Sequence, residues 1–312
     1  FVPLIMLIFL QIAFLEDTGY MARMAYMLDR IFRIFGLHGC SVMPFIVGGG
    51  IAGGCAVPGV LAARTLRSPR EKIATLLTVP FMACGAKLPV FILFSGVFFP
   101  GHEAAVMFGL TLTGWVVALL TARLLRSTII RGPSTPFVME LPNYRMPGAR
   151  NVAQLLWEKA RDFLQKAFTV IFVATILIWF LQTFDLHLNV VSNSQQSLLA
   201  VISGVIAPLF APMGLGDWRV CTALLTGFMA KESVVSTLSV LFGTTQSLRD
   251  ILTPLSAVSL LVFCLLYTPC VAAISSVRRE LGGKWACFVV VAQCVIAWIV
   301  AYAVYLLLGM VM

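Results

Sequence analysis

Three cysteines stand where a helix in an apolar setting would break. Cys55 lies within VGGGIAGGCAVPGV (47–60), among Gly48, Gly49, Gly50, Gly53, Gly54, Pro58 and Gly59. Cys84 follows Pro80 by four residues and precedes Gly85 and Pro89, and Cys270 directly follows Pro269. Glycine turns freely and lets backbones approach closely, while proline removes a backbone donor. Three charged residues, Lys87, Lys231 and Glu232, share these apolar surroundings. Facing lipid, each would cost about 2.5–3.5 kcal/mol, so they are expected to pair or to line a polar path. Thiolates suit soft or borderline metals and carboxylates harder ones. A path of thiols with Glu232 therefore suits a first-row divalent ion such as Fe2+, and the chemistry equally allows Zn2+, Mn2+ or Cu+. Plainer readings stand beside this one. Small residues also serve close helix packing, buried cysteines behave as small hydrophobes, and Lys87 and Glu232 form a natural structural pair. Cys40, Cys221, Cys264, Cys287 and Cys294 have ordinary apolar neighbours and are read as packing residues.

The elements that position these residues follow from composition. The chain has 312 residues, 60% of them hydrophobic and 11% charged. Soluble domains carry about 25% charged residues, so the polar groups here are too few to cover a water-facing surface and the solvent is lipid. The stretches 104–122, 167–184, 251–277 and 285–312 contain no Asp, Glu, Lys or Arg. Each is near or above the roughly 18–20 residues that span a bilayer as helix. Longer uncharged runs at 34–63 and 186–216 are interrupted by Gly and Pro. The reading is an all-α integral membrane protein with about eight to nine transmembrane or re-entrant helices, near 1–15, 41–63, 73–99, 104–125, 163–183, 198–214, 220–243, 255–277 and 285–311. Residues 1–312 form one polytopic membrane domain, with the lipid bilayer as its first partner.

The net charge of +9 does not indicate nucleic acid, because the basic residues gather in a few loops. Those loops are 64–72, the long connection 126–162 and the turn at 278–284. The positive-inside rule assigns all three to the cytoplasm and the loops near 100–103 and 184–197 to the outside. One conflict stays open. If 41–63 crosses fully, segment 16–40 lies outside with Arg23, Arg30 and Arg33; either 41–63 is a re-entrant hairpin, or 19–35 is an amphipathic helix oriented by other spans. The cysteines show no CxxC pair and no secreted-scaffold spacing, so no disulfide framework is read. His38, His102 and His187 are scattered near segment ends. Phe1 lies in an apolar segment without signal-peptide charges, which reads as a piece of a longer protein.

Two parts of the chain echo each other. FGL (35–37) precedes a span, a loop and a span containing PFMACGAKLP (80–89); MGL (213–215) precedes a span, a loop and a span containing YTPCVAA (267–273). The joining loops fall on opposite sides. This is the pattern of an inverted-topology repeat with a substrate site near the midplane between the halves.

The motifs FLEDTGYMARMAYMLDR (14–30), GCAVPG (54–59), AARTLRSPREK (62–72), PFMACGAKLPVF (80–91), AKESVVSTL (230–238) and YTPCVAAISSVRRE (267–280) resemble, in order and rough spacing, the membrane region of the bacterial ferrous iron transport protein B family. The resemblance implies Fe2+ uptake across the inner membrane through two gate-type repeats, here 16–99 and 198–277, joined by a cytoplasmic connection at 126–162. It implies that Cys55, Cys84 and Cys270 are the gate thiols and that Glu16 and Glu232 are the acidic ligands. Gly54, Pro58, Lys87, Lys231 and Pro269 then belong to the pathway or its gating. Ala56 stands where the family carries an amide, and the glycine stretch before Cys55 is a few residues longer. The family also carries an N-terminal G domain. This chain has no G-x-x-x-x-G-K-[ST] phosphate loop, so GTP and Mg2+ enter only through a domain that this chain lacks. The expected partners are that cytoplasmic GTPase domain or subunit and small Feo accessory proteins; a homo-oligomer remains open. No enzymatic role is expected of the chain itself, which has no H-E-x-x-H, nucleophile elbow or paired catalytic carboxylates. The alternative is a gate-fold transporter of another divalent metal or of a nucleoside-like solute.

Overall fold

The computed structural model describes residues 2–50, 54–66, 68–130, 143–144, 146–184, 197–243 and 245–311. Gly53, Arg67, Arg131, Arg145, most of the connection between 126 and 149, and the loop 185–196 with His187 lie outside the described residues. Among the described residues all regular structure is helical and no strand forms. That is the expected solution in lipid, because a helix satisfies its backbone groups within one segment.

In chain order the helices are α1 (Val2–Asp17), α2 (Tyr20–Ile34), α3 (Val42–Phe45), α4 (Ala56–Ala62), α5 (Pro69–Thr78), α6 (Leu88–Phe98), α7 (Glu103–Thr128), α8 (Ala149–Thr183), α9 (Leu198–Phe210), α10 (Trp218–Met229), α11 (Ser233–Phe242), α12 (Thr245–Ile251), α13 (Pro254–Leu266), α14 (Val271–Leu281) and α15 (Gly283–Val311). Helix starts use local signals. Asp217 accepts from the Arg219 amide at 2.7 Å ahead of α10. Thr253 and Ser256 form a reciprocal capping box at α13, which satisfies two otherwise orphaned amides. Ends use glycine: Gly214 (φ +69°) closes the turn after α9.

Among the described residues, four helical stretches are long and apolar enough to cross a membrane: Pro69–Phe98, Glu103–Thr128, Pro254–Leu281 and Gly283–Met310. The count reaches six if two bent pairs are each one span: Tyr20–Ile34 with Gly39–Gly50, bent by 112°, and Leu198–Met213 with Trp218–Met229, bent by 107°. α13 is the central helix. Ten of its thirteen residues are buried, which marks a helix enclosed on all sides; it packs on α15, α6 and α7. In contrast, Phe108, Leu112, Val116, Leu120 and Leu124 make an exposed apolar stripe on α7, a face suited to lipid.

Two expected spans fold back on themselves. Residues 41–63 are not one helix: α3 and the π-helical segment Ile46–Gly50 form one arm, and α4 forms the other. The arms run antiparallel at backbone contact. The Cys55 amide donates to Val47 O at 3.0 Å, and a Cβ on Gly59 would fall 2.7 Å from Gly48 Cα. Residues 41–63 therefore form a helical hairpin and not one crossing helix. Residues 220–243, read as a single span, divide into α10 and α11 around Ala230–Lys231–Glu232. Thr226 Oγ1 meets Thr237 Oγ1 at 3.0 Å across this second hairpin.

The amphipathic alternative for 19–35 holds as well. α2 buries Met21, Ala25 and Phe32. At its start, Arg23 stacks 3.5 Å over the Tyr144 ring and Asp17 accepts from the Gly148 amide at 3.1 Å. At its end, Ile34 O accepts from Arg123 at 3.5 Å. Both ends thus contact the α7–α8 connection or the helix turn leading into it. Elsewhere, Glu280 receives Arg64 at 2.6 Å and Lys72 at 2.8 Å, so the turn after the first hairpin meets the end of α14. Arg249, just before α13, donates to Val97 O at the far end of α6.

Candidate functional site

The two helical hairpins converge on the breaks of the two long spans. In Pro69–Phe98 the helix stops at Thr78, passes Met82 in extended conformation (ψ 151°) and restarts at Gly85. In Pro254–Leu281 it stops at Leu266, and Tyr267 (ψ 166°) and Cys270 (ψ 155°) are extended before α14. Proline explains both stops, since neither Pro80 nor Pro269 can donate to the carbonyl four residues earlier.

The first hairpin's second arm begins beside both breaks. Gly54 O accepts from the Gly85 amide at 2.8 Å, which joins the residues next to Cys55 and Cys84. Ala56 and Val57 pack on Ala272 and Ala273, with Cys55 and Cys270 against the same cluster. Cys55 lies within electrostatic reach of Cys270, Cys84 and Glu232, and Cys270 within reach of Cys84 and Glu232. All four occupy the residue that precedes a helical start: Cys55 before α4, Cys84 before the short 3-10 turn Gly85–Lys87, Cys270 before α14 and Glu232 before α11. Pro58 does not interrupt a helix; it lies in the first turn of α4, where a missing N–H costs nothing.

The lysines have a different place from the one charge pairing suggests. Lys87, 3% exposed, does not pair with Glu232. Its Nζ donates to Leu265 O at 2.5 Å, Met82 O at 2.8 Å and Pro80 O at 3.3 Å. Lys231 Nζ donates to Tyr267 O at 3.4 Å and stands 3.0 Å over the Tyr267 ring. The breaks expose carbonyls that the helices would otherwise use, and the two amines satisfy them. A small crevice between them is lined by Lys87, Val90, Lys231, Val234, Cys264 and Tyr267.

Glu16 is not brought to this cluster. It is exposed on the last turn of α1, which packs on α8 and α2, and neither carries a gate thiol. Two residues at the site are not among the candidate site residues of the sequence: Cys264 reads there as packing, and Tyr267 only opens the YTPCVAA motif. Cys264 lies among apolar neighbours in sequence yet faces both lysines. Tyr267 is buried beneath Lys231, and its hydroxyl has no hydrogen-bond partner among the described residues. Among the described residues no group of three or more His, Cys, Asp or Glu side chains is placed to hold a metal ion at once. The four candidate side chains thus form no closed chelate among the described residues.

Comparison with known proteins gives two family matches. The family model described as Gate, nucleoside recognition, matches residues 1–98 and 164–284. The model described as Ferrous iron transport protein B C terminus matches residues 107–159. The chain is 38% identical over 312 residues to the Fe(2+) transporter FeoB of Staphylococcus aureus (strain MSSA476), covering 98% of this chain and 46% of that relative. It is 41% identical over 322 residues to the Fe(2+) transporter FeoB of Campylobacter jejuni, covering 97% and 52%. It is 35% identical over 359 residues to the Fe(2+) transport protein A/Fe(2+) transporter FeoB fusion protein of Porphyromonas gingivalis, covering 98% and 42%. The chain spans about half the length of these curated relatives. No solved structure matches it.

Proposed function

We propose, from the premise that this chain belongs to the Gate family and matches the membrane half of FeoB-type relatives, that it forms the path by which Fe2+ crosses the bacterial inner membrane. A GTPase domain or subunit outside this chain gates or drives that passage. The observation that carries the reading is the placing of Cys55, Cys84, Cys270 and Glu232 at four separate helix starts, with Gly54 bonded to Gly85 and with Cys55 and Cys270 packed on one cluster, where two hairpins meet two broken spans. Thiolate and carboxylate together suit a first-row divalent cation. The ion is cargo, so successive contacts serve it better than a closed chelate. Gly54 and Pro58 shape the first hairpin, Pro269 opens the second broken span, and Lys87 and Lys231 hold the opened carbonyls.

The reading includes an inverted repeat, 16–99 and 198–277. It is supported by a shared element order: an entry helix bent by more than a right angle, a helical hairpin and a broken span. The contacts of Glu280 with Arg64 and Lys72 support one common end for the first hairpin's exit and the end of α14. The contact of Arg249 with Val97 supports the opposite end for the second hairpin's exit. With basic loops inside, the first hairpin enters from the cytoplasm and the second from outside. Their tips then meet near the midplane, where irregular backbone is tolerated because it lines a polar path. The connection 126–162 faces the cytoplasm, where a GTPase and small Feo accessory proteins can reach it; the fused relative from P. gingivalis supports that kind of partner.

The test is anaerobic Fe2+ influx into proteoliposomes holding the whole protein. Cys55→Ser, Cys84→Ser and Cys270→Ser are each expected to lower influx at least tenfold with unchanged folding. Wild-type influx in all three well-folded variants would remove the thiols from the path. Because the matched family is described by nucleoside recognition, a radiolabelled nucleoside is the control cargo; nucleoside uptake without Fe2+ uptake would overturn the iron reading.

A further inference from the structure

Lys87 does more at the proposed path than bracing a helix break requires. A permeation route for a divalent cation would not ordinarily hold a buried amine. Yet Lys87 lies within electrostatic reach of Cys84 and Cys270 and only three residues beyond Cys84 in the chain. Its Nζ donates to three oxygens at once, from Pro80, Met82 and Leu265. An ammonium has three N–H donors, whereas a neutral amine has two and would aim its lone pair at an oxygen. Three acceptors therefore match the ammonium form.

The three oxygens come from different sources and converge for a definable reason. Leu265 O is free because its helical partner would be the N–H of residue 269, and Pro269 has none. Met82 O is free because the chain there is extended. Pro80 O belongs to the last turn before that break. They form a carbonyl cradle that spans both broken segments, one side from each. Rings of backbone carbonyls are a general way to replace the hydration shell of a small cation.

We propose that the carbonyls of Pro80, Met82 and Leu265 form a monovalent-cation site at the crossing of the two breaks, that the Lys87 ammonium is its tethered occupant, and that this occupant keeps the path shut. The inference rests on the reading of this region as a cation path. The side chain acts as a plug that binds where an ion would bind. Opening then consists of withdrawing Lys87, which bares three oxygens to the passing ion and removes the positive charge opposing it. Lys231, held on Tyr267 O of the same break, stays as the fixed neighbour.

The experiment measures basal flux, without nucleotide, of Fe2+ and of Tl+ as a monovalent probe, in proteoliposomes of the whole protein. Lys87→Met, which keeps the length and removes the charge, is expected to raise basal flux at least tenfold. In Lys87→Ala, millimolar methylammonium is expected to fill the cradle and suppress the leak reversibly, while tetramethylammonium, which has no N–H, leaves it unchanged. A lysine that merely braced the break would change thermal stability but not basal flux. Folded Lys87→Met with wild-type basal flux of both ions overturns the proposal. If the Lys87 variants do not fold, Pro269→Ala serves: its new N–H competes for Leu265 O, so a raised basal flux supports the plug and a wild-type flux overturns it. A wild type that never moves Fe2+ under any nucleotide condition, beside a Lys87→Met variant that leaks Tl+, would sink the iron reading and leave the plug standing.

Discussion

Gly59→Ala isolates the contact on which the first hairpin depends. The new Cβ would sit 2.7 Å from Gly48 Cα, 2.9 Å from Pro44 O and 3.0 Å from Gly48 N. Non-bonded carbons rest at about 3.5–4.0 Å, so the arms must part by about 0.8–1.3 Å at this level. All three obstacles are backbone, and no rotamer change relieves them. Overpacking of this kind costs about 1–3 kcal/mol. The shift also pulls on the hydrogen bonds from Cys55 to Val47 O and from Gly85 to Gly54 O, which seat Cys55 next to the first break. Gly109→Ala is the matched control, because its Cβ meets nothing within 4 Å on α7 and alanine is the better helix former by about 0.5–1 kcal/mol. Thermal unfolding of the two variants in the same detergent reads the difference. Gly59→Ala is expected to melt below wild type and Gly109→Ala at or above it. A Gly59→Ala protein that melts with the control would mean that the arms are not at backbone contact.

Glu280→Gln removes the charge from two ion pairs, one to Arg64, whose side chain is 59% exposed, and one to Lys72. A loss of about 0.2–1 kcal/mol per pair is expected at low ionic strength, and the gap to wild type in a melting series should narrow as salt rises toward 1 M; a salt-independent gap would mean that packing rather than charge is at stake. Thr253→Ala removes the α13 capping box and is expected to cost about 0.5–2 kcal/mol, read as a lower melting temperature that Thr253→Ser restores.

Much of the site was legible because its breaks carry Gly and Pro. Those residues mark Cys55, Cys84 and Cys270, and the structure sets each of the three directly before a helical start at such a break. The break at Ala230–Lys231–Glu232 was not legible, because it contains neither residue type and reads as a continuous span interrupted only by charge. The partner of Lys87 was missed for a related reason. Charge pairing suggests Glu232, whereas the actual acceptors are carbonyls, and nothing in a side-chain pattern reports a free carbonyl except the proline four residues beyond Leu265. Cys264 and Tyr267 join the site only through the packing of α13 against α6, which neighbours in sequence do not reveal. For 16–40 the two alternatives were not exclusive. The hairpin at 41–63 and an amphipathic α2 that contacts Tyr144 and Arg123 occur together.

The seating of the first hairpin's second arm on Ala272 and Ala273 has a consequence for the order in which the protein is made. The contact between Gly54 and Gly85 is local and can form as soon as the first half emerges. The contact with α14 waits for the chain to grow as far as Cys270. At about 5–20 residues per second, Cys270 is made about 10–40 s after Cys55. For that interval α4 lacks the Ala272 and Ala273 surface on which it later packs, and Arg64 and Lys72 lack Glu280. Until the second half of the chain is made, the first hairpin thus relies for its shape on contacts within the first half, its own backbone contacts and the hydrogen bond to Gly85 among them.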